Sequence, residues 1–313
     1  MEAKPVRSTA EIRLRRFVIE ADEASAMAKD WGVATAAELL PLLVPAAQRL
    51  ARPPISNYHV GAVGLGSSGR IYLGVNLEFP GLPLHHSVHA EQFLVTNAAA
   101  HGETAIRCIA VSAAPCGHCR QFLQEIRGAA EIRILVTSDG NPSAFRPLSD
   151  FLPHPFGPPD LLHKDRPLLL EPHDNEVRLL EPKTAGEFCN GDGEGVEDRL
   201  RRAAESAARA AHAPYSGCPA GFAVADGEGR VHAGSYEESA AYNPSLGPVQ
   251  AAMVAYVAAH GDAGEQRGRG WEIVAAALVE KEAAAVSHEA TARIFLAAVA
   301  PRAHLRVYRF RSS

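Results

Sequence analysis

Two short motifs supply residue types that could hold a catalytic metal ion. The first is His89-Ala-Glu91, and the second is Pro115-Cys116-Gly-His-Cys119. One imidazole and two thiolates leave Zn²⁺ formally neutral with one coordination position open, which distinguishes a catalytic zinc site from a structural one. Zinc lowers the pKa of a bound water to about 7, and Glu91 could accept that water's proton and pass it on. The chemistry indicated is hydrolysis.

Each motif is predicted to lie at the start of a helix. His89 begins a helix that runs to Ala100, and Cys116 and Cys119 reach one ion from the first turn of a helix over 118–127. The ion would then lie against two helix N-termini, where partial positive charge favours thiolate over thiol.

Two other interpretations of the cysteine pair are open. A redox pair would leave His89 and Glu91 unexplained. A structural zinc site would need a fourth protein ligand, and the nearest candidate is Cys108. That cysteine lies in an apolar run over 107–113, typical of a buried strand, and is expected to pack in the core. The neighbouring histidines are interpreted as surface or supporting residues: His85, His86 and His118.

Length and composition are those of a soluble globular protein with room for two domains. The 313 residues are 47% hydrophobic and 21% charged, and no apolar run is long enough to span a membrane. The net charge of −5 argues against a polyanionic partner and so disfavours binding to nucleic acid. The sequence shows no signal peptide and its five cysteines form no disulfide pattern, so a cytoplasmic protein is expected.

The chain also contains an internal repeat of a whole supersecondary unit. Each copy has a hairpin with two glycines thirteen residues apart, Gly61 and Gly74 in the first and Gly221 and Gly234 in the second. An alanine-rich helix ending in Ala-His-Gly, a strand, and a helix with an Arg-x-Phe-Leu segment follow in both. This self-similarity predicts a duplicated three-layer α/β/α domain.

Only the first copy carries the chemistry. The residues that align with His89, Glu91, Cys116 and Cys119 in the second copy are Gln250, Ala252, Glu289 and Ala292. We therefore expect the second copy to keep the fold without catalysis and to serve in packing and assembly.

Four segments are expected along the chain. In the first of them, Pro41 and Pro45 suggest kinks or a break between short helices. The segments are a helical N-terminal segment (1–50), a catalytic zinc domain (51–165), a linker (166–194) and a degenerate domain (195–313).

The motifs, the repeat and the Phe156-Gly-Pro connector together resemble the two-domain, homodimeric cytidine deaminases, especially plant members. The resemblance extends from about Leu39 to Ala300. It implies one Zn²⁺ per chain, with Glu91 as the proton shuttle and a homodimeric assembly. The implied zinc ligands are His89, Cys116 and Cys119. A histidine at 89 fits the dimeric branch, because the small tetrameric branch has a cysteine there.

The resemblance also implies a nucleoside pocket. Its ribose-binding pair falls on Asn76 and Glu78, which alternate along one strand and therefore share a face. Without the family, a solvent-facing strand edge explains this pair equally well. The other implied substrate contacts are Tyr58 in the base pocket (often phenylalanine in the family), Ala90, the Ala114 carbonyl, and Phe156 toward the partner's active site.

The function expected is hydrolytic deamination of cytidine and 2′-deoxycytidine in pyrimidine salvage, by zinc-bound hydroxide with Glu91 shuttling protons. Two alternatives remain at this point. One is a cytidine deaminase acting on single-stranded RNA or DNA, which a basic groove leading to the metal would indicate. The other is a non-enzymatic protein whose zinc only supports the fold.

Overall fold

The computed structural model describes residue 12 and residues 14–138, 144–180, 195–261 and 271–311. The chain divides into two compact units, each with its own β-sheet. The first unit comprises Met1–Glu78, Val88–Pro155 and Ala258–Asp262, and the second comprises Phe79–Ser87, Phe156–Val257 and Ala263–Ser313.

The first copy of the repeat forms a six-stranded sheet. Its strands follow the order β1-β3-β2-β4-β5-β6, in which β4 and β5 run parallel and the other neighbours antiparallel. In chain order its elements are β1 (Val18–Ile19), α1 (Ala21–Trp31), α2 (Ala36–Gln48), β2 (Gly61–Gly66), β3 (Ile71–Val75), α3 (Ala90–Ala100), β4 (Ile106–Val111), α4 (Gly117–Phe122), β5 (Arg133–Val136), β6 (Arg146–Pro147) and α5 (Leu148–Phe151).

The second copy forms a five-stranded sheet of matching topology. Its elements are α6 (Pro158–Leu161), β7 (Arg178–Leu179), α7 (Val196–Arg209), β8 (Ala220–Asp226), β9 (Val231–Ser235), α8 (Pro248–His260), β10 (Ile273–Lys281), α9 (Glu289–Val299) and β11 (His304–Arg311). The strand order is β7-β11-β10-β8-β9, again with one parallel pair, β10 and β11. The run β3-β2-β4-β5 thus corresponds to β9-β8-β10-β11, which confirms the predicted duplication.

Glycines let the helices of the first copy approach its sheet closely. A Cβ at Gly61 would lie 2.6 Å from the Gln48 nitrogen in α2, and a Cβ at Gly74 would lie 2.0 Å from the Ala90 oxygen in α3. Gly74 pairs with Ala62, the neighbour of Gly61, so the two glycines point to opposite faces of the sheet. The helices α2 and α3 therefore cover opposite faces.

The second copy repeats this packing at the aligned glycines. A Cβ at Gly221 would lie 2.2 Å from the Ala204 oxygen in α7, and one at Gly234 would lie 2.1 Å from the Ala252 nitrogen in α8. The glycine spacing seen in the sequence thus reflects two helices pressed against two faces of each sheet. The predicted three-layer α/β/α architecture is confirmed in both copies.

A buried carboxylate closes the β2–β3 hairpin. Glu103 is 3% exposed and accepts hydrogen bonds from the Ser67 hydroxyl (2.5 Å), the Ser67 amide (3.1 Å) and the Ser68 hydroxyl. Burial alone would raise the pKa of Glu103, but these hydrogen bonds outweigh it and lower the pKa to about 2. The carboxylate occupies the space beside Gly66, where a Cβ would lie 2.0 Å away. In the second copy Asp226 stands at the position of Gly66. Its own carboxylate accepts hydrogen bonds from two backbone amides of the turn.

Two expectations about helix extent were wrong. Of the kinks or break expected at Pro41 and Pro45, the break does not occur: α2 is one helix, because Thr35 caps its start and its leucine-rich face is fully buried. The helix predicted over 118–127 ends at Phe122 and continues only as a 3₁₀ turn, since the chain must reverse at Gly128 (φ 72°) to enter β5.

Several predictions fall on residues that the structure does not describe. They concern most of residues 1–13, the Gly/Asp-rich part of the linker (181–194) and Cys189. Over the parts of the chain that are described, no helix has both the length and the apolar character needed to cross a membrane.

Candidate metal centre

Three candidate metal ligands converge where α3 and α4 begin. His89 and Cys116 are the N-cap residues of these helices, and Cys119 lies in the first turn of α4. His89 Nδ1 lies 3.4 Å from the Cys116 sulfur and 3.3 Å from the Cys119 sulfur, and the two sulfurs are 3.7 Å apart. The prediction that both motifs start helices is confirmed.

These separations fit a tetrahedral zinc ion. Bonds of about 2.3 Å to sulfur and about 2.0–2.1 Å to nitrogen place neighbouring ligands roughly 3.5–3.8 Å apart. Two sulfurs and an imidazole nitrogen are also the donor types that zinc prefers. The residues present therefore fit the metal that the sequence predicts.

The thiols and the imidazole shift one another's pKa values. The hydrogen bond from Cys119 lowers the pKa of Cys116 to about 3, and its contact with Cys116 raises the pKa of Cys119. Cys116 also raises the pKa of His89. A divalent cation displaces protons held in this way, because thiolate and neutral imidazole are the forms that bind metal.

Glu91 lies beside the ligands but is not one of them. Its carboxylate is 3.4 Å from the Cys119 sulfur, while the group of possible ligands comprises His89, Cys116 and Cys119. Glu91 is 5% exposed, and burial raises the pKa of its carboxyl group. A buried carboxyl group with a raised pKa is suited to taking up and releasing a proton during catalysis.

The described residues offer no fourth protein ligand at this centre. Cys108 is buried in β4, where burial raises the pKa of its thiol to about 11, and it lies outside the ligand group. The His118 ring stacks on the His89 ring at 5.3 Å, in a supporting position. His85 is exposed and His86 is buried. A three-ligand set leaves one position for water or substrate, as in catalytic zinc sites.

The predicted ribose pair holds the loop that precedes β2. The Asn76 amide donates to the Tyr58 carbonyl and accepts from the Val60 amide, both at 2.9 Å. Glu78 accepts two backbone amides of the loop and the Ser56 hydroxyl. The sequence reasoning missed Ser56, although its recurrence as Ser216 in the second copy was a signal that could have found it.

The other predicted substrate contacts have different exposures. Tyr58 is 62% exposed and Phe156 is 48% exposed, so both rings can meet a ligand or another chain. Ala114 is exposed, whereas Ala90 is buried in the first turn of α3. Phe156 belongs to the second unit. Their roles in binding stay predictions.

In the second copy, two rings pack together in the region that aligns with the ribose pair. Tyr236 stands at the position of Asn76, is 8% exposed, and contacts the His288 ring at 4.3 Å between centroids. Burial lowers the pKa of His288 to about 4, which keeps the ring neutral. Glu289 is paired with two arginines. Among its described residues, this copy does not repeat the ligand set formed by His89, Cys116 and Cys119.

Comparisons with known proteins agree with this geometry. Residues 35–135 and residues 148–293 each match a family described as the cytidine and deoxycytidylate deaminase zinc-binding region.

The relatives are similar over most of their length. Cytidine deaminase 1 of Arabidopsis thaliana is 53% identical over 301 residues, which cover 93% of this chain and 97% of that protein. Cytidine deaminases 6 and 7 of the same plant are 48% and 47% identical, each over 86% of this chain and over 90% and 87% of their own lengths. The chain therefore belongs to the zinc-dependent cytidine and deoxycytidylate deaminase family, as a two-domain, plant-like member.

Proposed function

We propose that the protein hydrolyses cytidine and 2′-deoxycytidine to uridine and 2′-deoxyuridine, releasing ammonia. The observation that carries this proposal is a three-ligand metal set with the buried carboxylate of Glu91 beside it, 3.4 Å from Cys119. The relatives' name, cytidine deaminase, supplies the substrate.

The zinc ligands and Glu91 have different roles in the proposed reaction. Zinc held by His89, Cys116 and Cys119 would supply the Lewis acidity that makes water nucleophilic at neutral pH. Glu91 accepts one proton from the attacking water and delivers it to N3 of the base, then takes the remaining proton from the hydroxyl group formed at C4 and delivers it to the departing amine. Water supplies the new carbonyl oxygen at C4, and ammonia leaves with the C4 nitrogen. Burial of Glu91 limits competing proton exchange with solvent.

The nucleoside pocket is proposed to surround this centre. Asn76 and Glu78 bind the ribose hydroxyls, and their hydrogen bonds to the loop before β2 fix their orientation. A nucleoside that lacks the expected hydroxyl would leave these polar groups unpaired, which weakens binding strongly. Tyr58, Ala90 and the Ala114 carbonyl contact the base.

Assembly and setting complete the proposal. Phe156, with its ring half exposed, reaches the partner's active site in a homodimer. The second copy serves in packing and assembly. The reaction is proposed to serve pyrimidine salvage, and the cysteine usage of the sequence favours a reducing compartment such as the cytoplasm. The domain limits proposed are 51–165 for the catalytic domain and 195–313 for the degenerate one.

A Glu91→Gln variant tests the mechanism, with the exposed carboxylate of Glu131 as its control (Glu131→Gln). Glu91→Gln should keep its zinc and its fold but deaminate cytidine at least about a thousandfold more slowly, whereas the control should match the wild type. Zinc content, circular dichroism and the absorbance change of deamination measure these outcomes. Normal activity of Glu91→Gln would refute the role given to this residue.

The substrate class needs a separate comparison of cytidine, deoxycytidine, cytidine monophosphate and a cytosine-containing oligonucleotide. The two nucleosides should be converted fastest. Preference for the oligonucleotide would favour a nucleic-acid deaminase, which the net charge of −5 disfavours. Zinc binding by the wild type without conversion of any substrate would favour a structural zinc protein.

A further inference from the structure

Ser56 lies between two groups proposed to bind the nucleoside. We propose that Ser56 is a positioning residue, whose hydroxyl fixes the carboxylate of Glu78 and the backbone of Tyr58 at the same time. This inference rests on the function proposed above, because it concerns how that nucleoside site is held in shape.

The hydroxyl makes one hydrogen bond in each direction. Ser56 Oγ donates to Glu78 Oε1 at 2.5 Å and accepts from the Tyr58 amide at 3.1 Å. The other carboxylate oxygen, Glu78 Oε2, accepts the amides of Ile55 (2.8 Å) and Ser56 (2.9 Å). Asn57 between them adopts φ 55°, the left-handed turn that brings the Tyr58 amide back to the hydroxyl.

The hydrogen bonds also fix which oxygen of Glu78 can meet a substrate. Burial would raise the pKa of Glu78, but the hydrogen bonds from Ser56 and Ile55 outweigh it and leave the pKa lowered. The side chain is therefore an ionised acceptor. An ionised carboxylate oxygen accepts about two hydrogen bonds. Two backbone amides satisfy Oε2, so Oε1, held by Ser56, is the oxygen with capacity for a ribose hydroxyl.

The second copy contains the same motif without the metal ligands. Ser216 Oγ donates to Glu238 Oε1 and accepts from the Cys218 amide at 3.0 Å, and Gly217 has φ 63° where Asn57 has 55°. Glu238 Oε2 accepts the amides of Tyr215 and Ser216. The motif thus forms in both copies, whether or not the metal ligands are present, and Ser216 offers a matched position for a control.

Removing the hydroxyl should affect binding more than chemistry. Without it, Glu78 Oε1 loses its only protein donor among the described residues and the Tyr58 amide loses its acceptor, while the two amides still hold Oε2. His89 and Glu91, at the start of α3, make no hydrogen bond to Ser56. The loss should therefore appear in KM.

The test compares Ser56→Ala with Ser216→Ala in the full-length zinc enzyme. Ser56→Ala should raise KM for cytidine about tenfold and change kcat less than about twofold. Ser216→Ala loses the same hydrogen bonds and should lower the melting temperature by a similar amount, yet keep KM unchanged. Ser56→Thr keeps the hydroxyl and should restore KM to within about threefold of the wild type.

A double-mutant cycle with Glu78→Gln shows whether Ser56 acts through Glu78. If it does, adding Ser56→Ala to Glu78→Gln should change kcat/KM far less than it does in the wild type. An unchanged KM in Ser56→Ala, an equal rise in Ser216→Ala, or fully additive effects in the cycle would each overturn the inference. Failure of the wild type to convert cytidine would instead count against the proposed function.

Discussion

Replacing Gly74 by alanine tests whether close packing of β3 against α3 holds the metal centre in place. A Cβ at this position would lie 2.0 Å from the Ala90 oxygen and 2.6 Å from the Leu94 nitrogen, whereas real Cβ contacts stay beyond 3.0 Å. The helix α3 must therefore move away from the sheet by about 1 Å to accept a methyl group. Because His89 is the N-cap of α3, this shift moves its imidazole relative to the two cysteines.

The size of the effect follows from that displacement. Overpacking of this kind destabilises a protein by about 1–3 kcal/mol. A catalytic group misplaced by about 1 Å can lower the rate on the order of 100-fold. Gly234→Ala provides the control, because its Cβ would lie 2.1 Å from the Ala252 nitrogen but the shifted helix, α8, carries none of the three ligands His89, Cys116 and Cys119.

The assay combines three measurements on both variants: melting temperature, zinc dissociation by competition with a chelator, and kcat/KM for cytidine. The two variants should melt at similarly lowered temperatures. Gly74→Ala alone should release zinc more readily and lose about 100-fold in kcat/KM. Equal losses of activity in the two variants, or full activity in Gly74→Ala, would refute the link between this glycine and the metal centre.

Three further outcomes are expected. Glu103→Gln should destabilise the protein by on the order of 3 kcal/mol at pH 7, since the pKa of Glu103 is lowered to about 2. The stability that the ionised carboxylate provides is present above pH 4.5 and lost toward pH 2. In urea titrations the stabilities of the wild type and the variant should therefore converge as the pH falls through this range. Removal of zinc with a chelator should abolish deamination and lower the melting temperature, with both restored by added Zn²⁺, whereas Cys116→Ser should not recover. Tyr58→Phe should keep KM for cytidine within about threefold, while Tyr58→Ala should raise it about tenfold or more if the ring contacts the base.

The motifs could be assigned from sequence because each lies within one short segment. Cys116 and Cys119 are three residues apart, so one helical turn brings them together whatever the rest of the chain does. The start of α3 at His89 was predicted correctly from the apolar run that follows. The repeat could also be recognised from the sequence. At Gly61, Gly74, Gly221 and Gly234 a helix packs so closely on the sheet that no larger residue fits, so the same glycine spacing is present in both copies.

The length of a helix depended on contacts that a local pattern does not contain. The prolines of α2 predicted kinks or a break, yet the cap at Thr35 and a fully buried face keep one helix over Ala36–Gln48. In α4 the apolar pattern continued past Phe122, but the chain had to turn at Gly128 to reach β5. Burial and chain connectivity outweighed local preference in both cases.

The sequence by itself determined the donor set and the copy that carries it. Two cysteines, a histidine and a glutamate at these spacings, present in one copy and replaced in the other, indicate a single zinc centre per chain. Only the tertiary structure decided how His89 reaches Cys119, across thirty residues of chain, and how Ser56 reaches Glu78. Those contacts join separate elements, so their distances depend on how helices pack on the sheet. That packing depends on close approaches of helices at glycines. The sequence shows where these glycines lie but not the distances between the helices and the sheet.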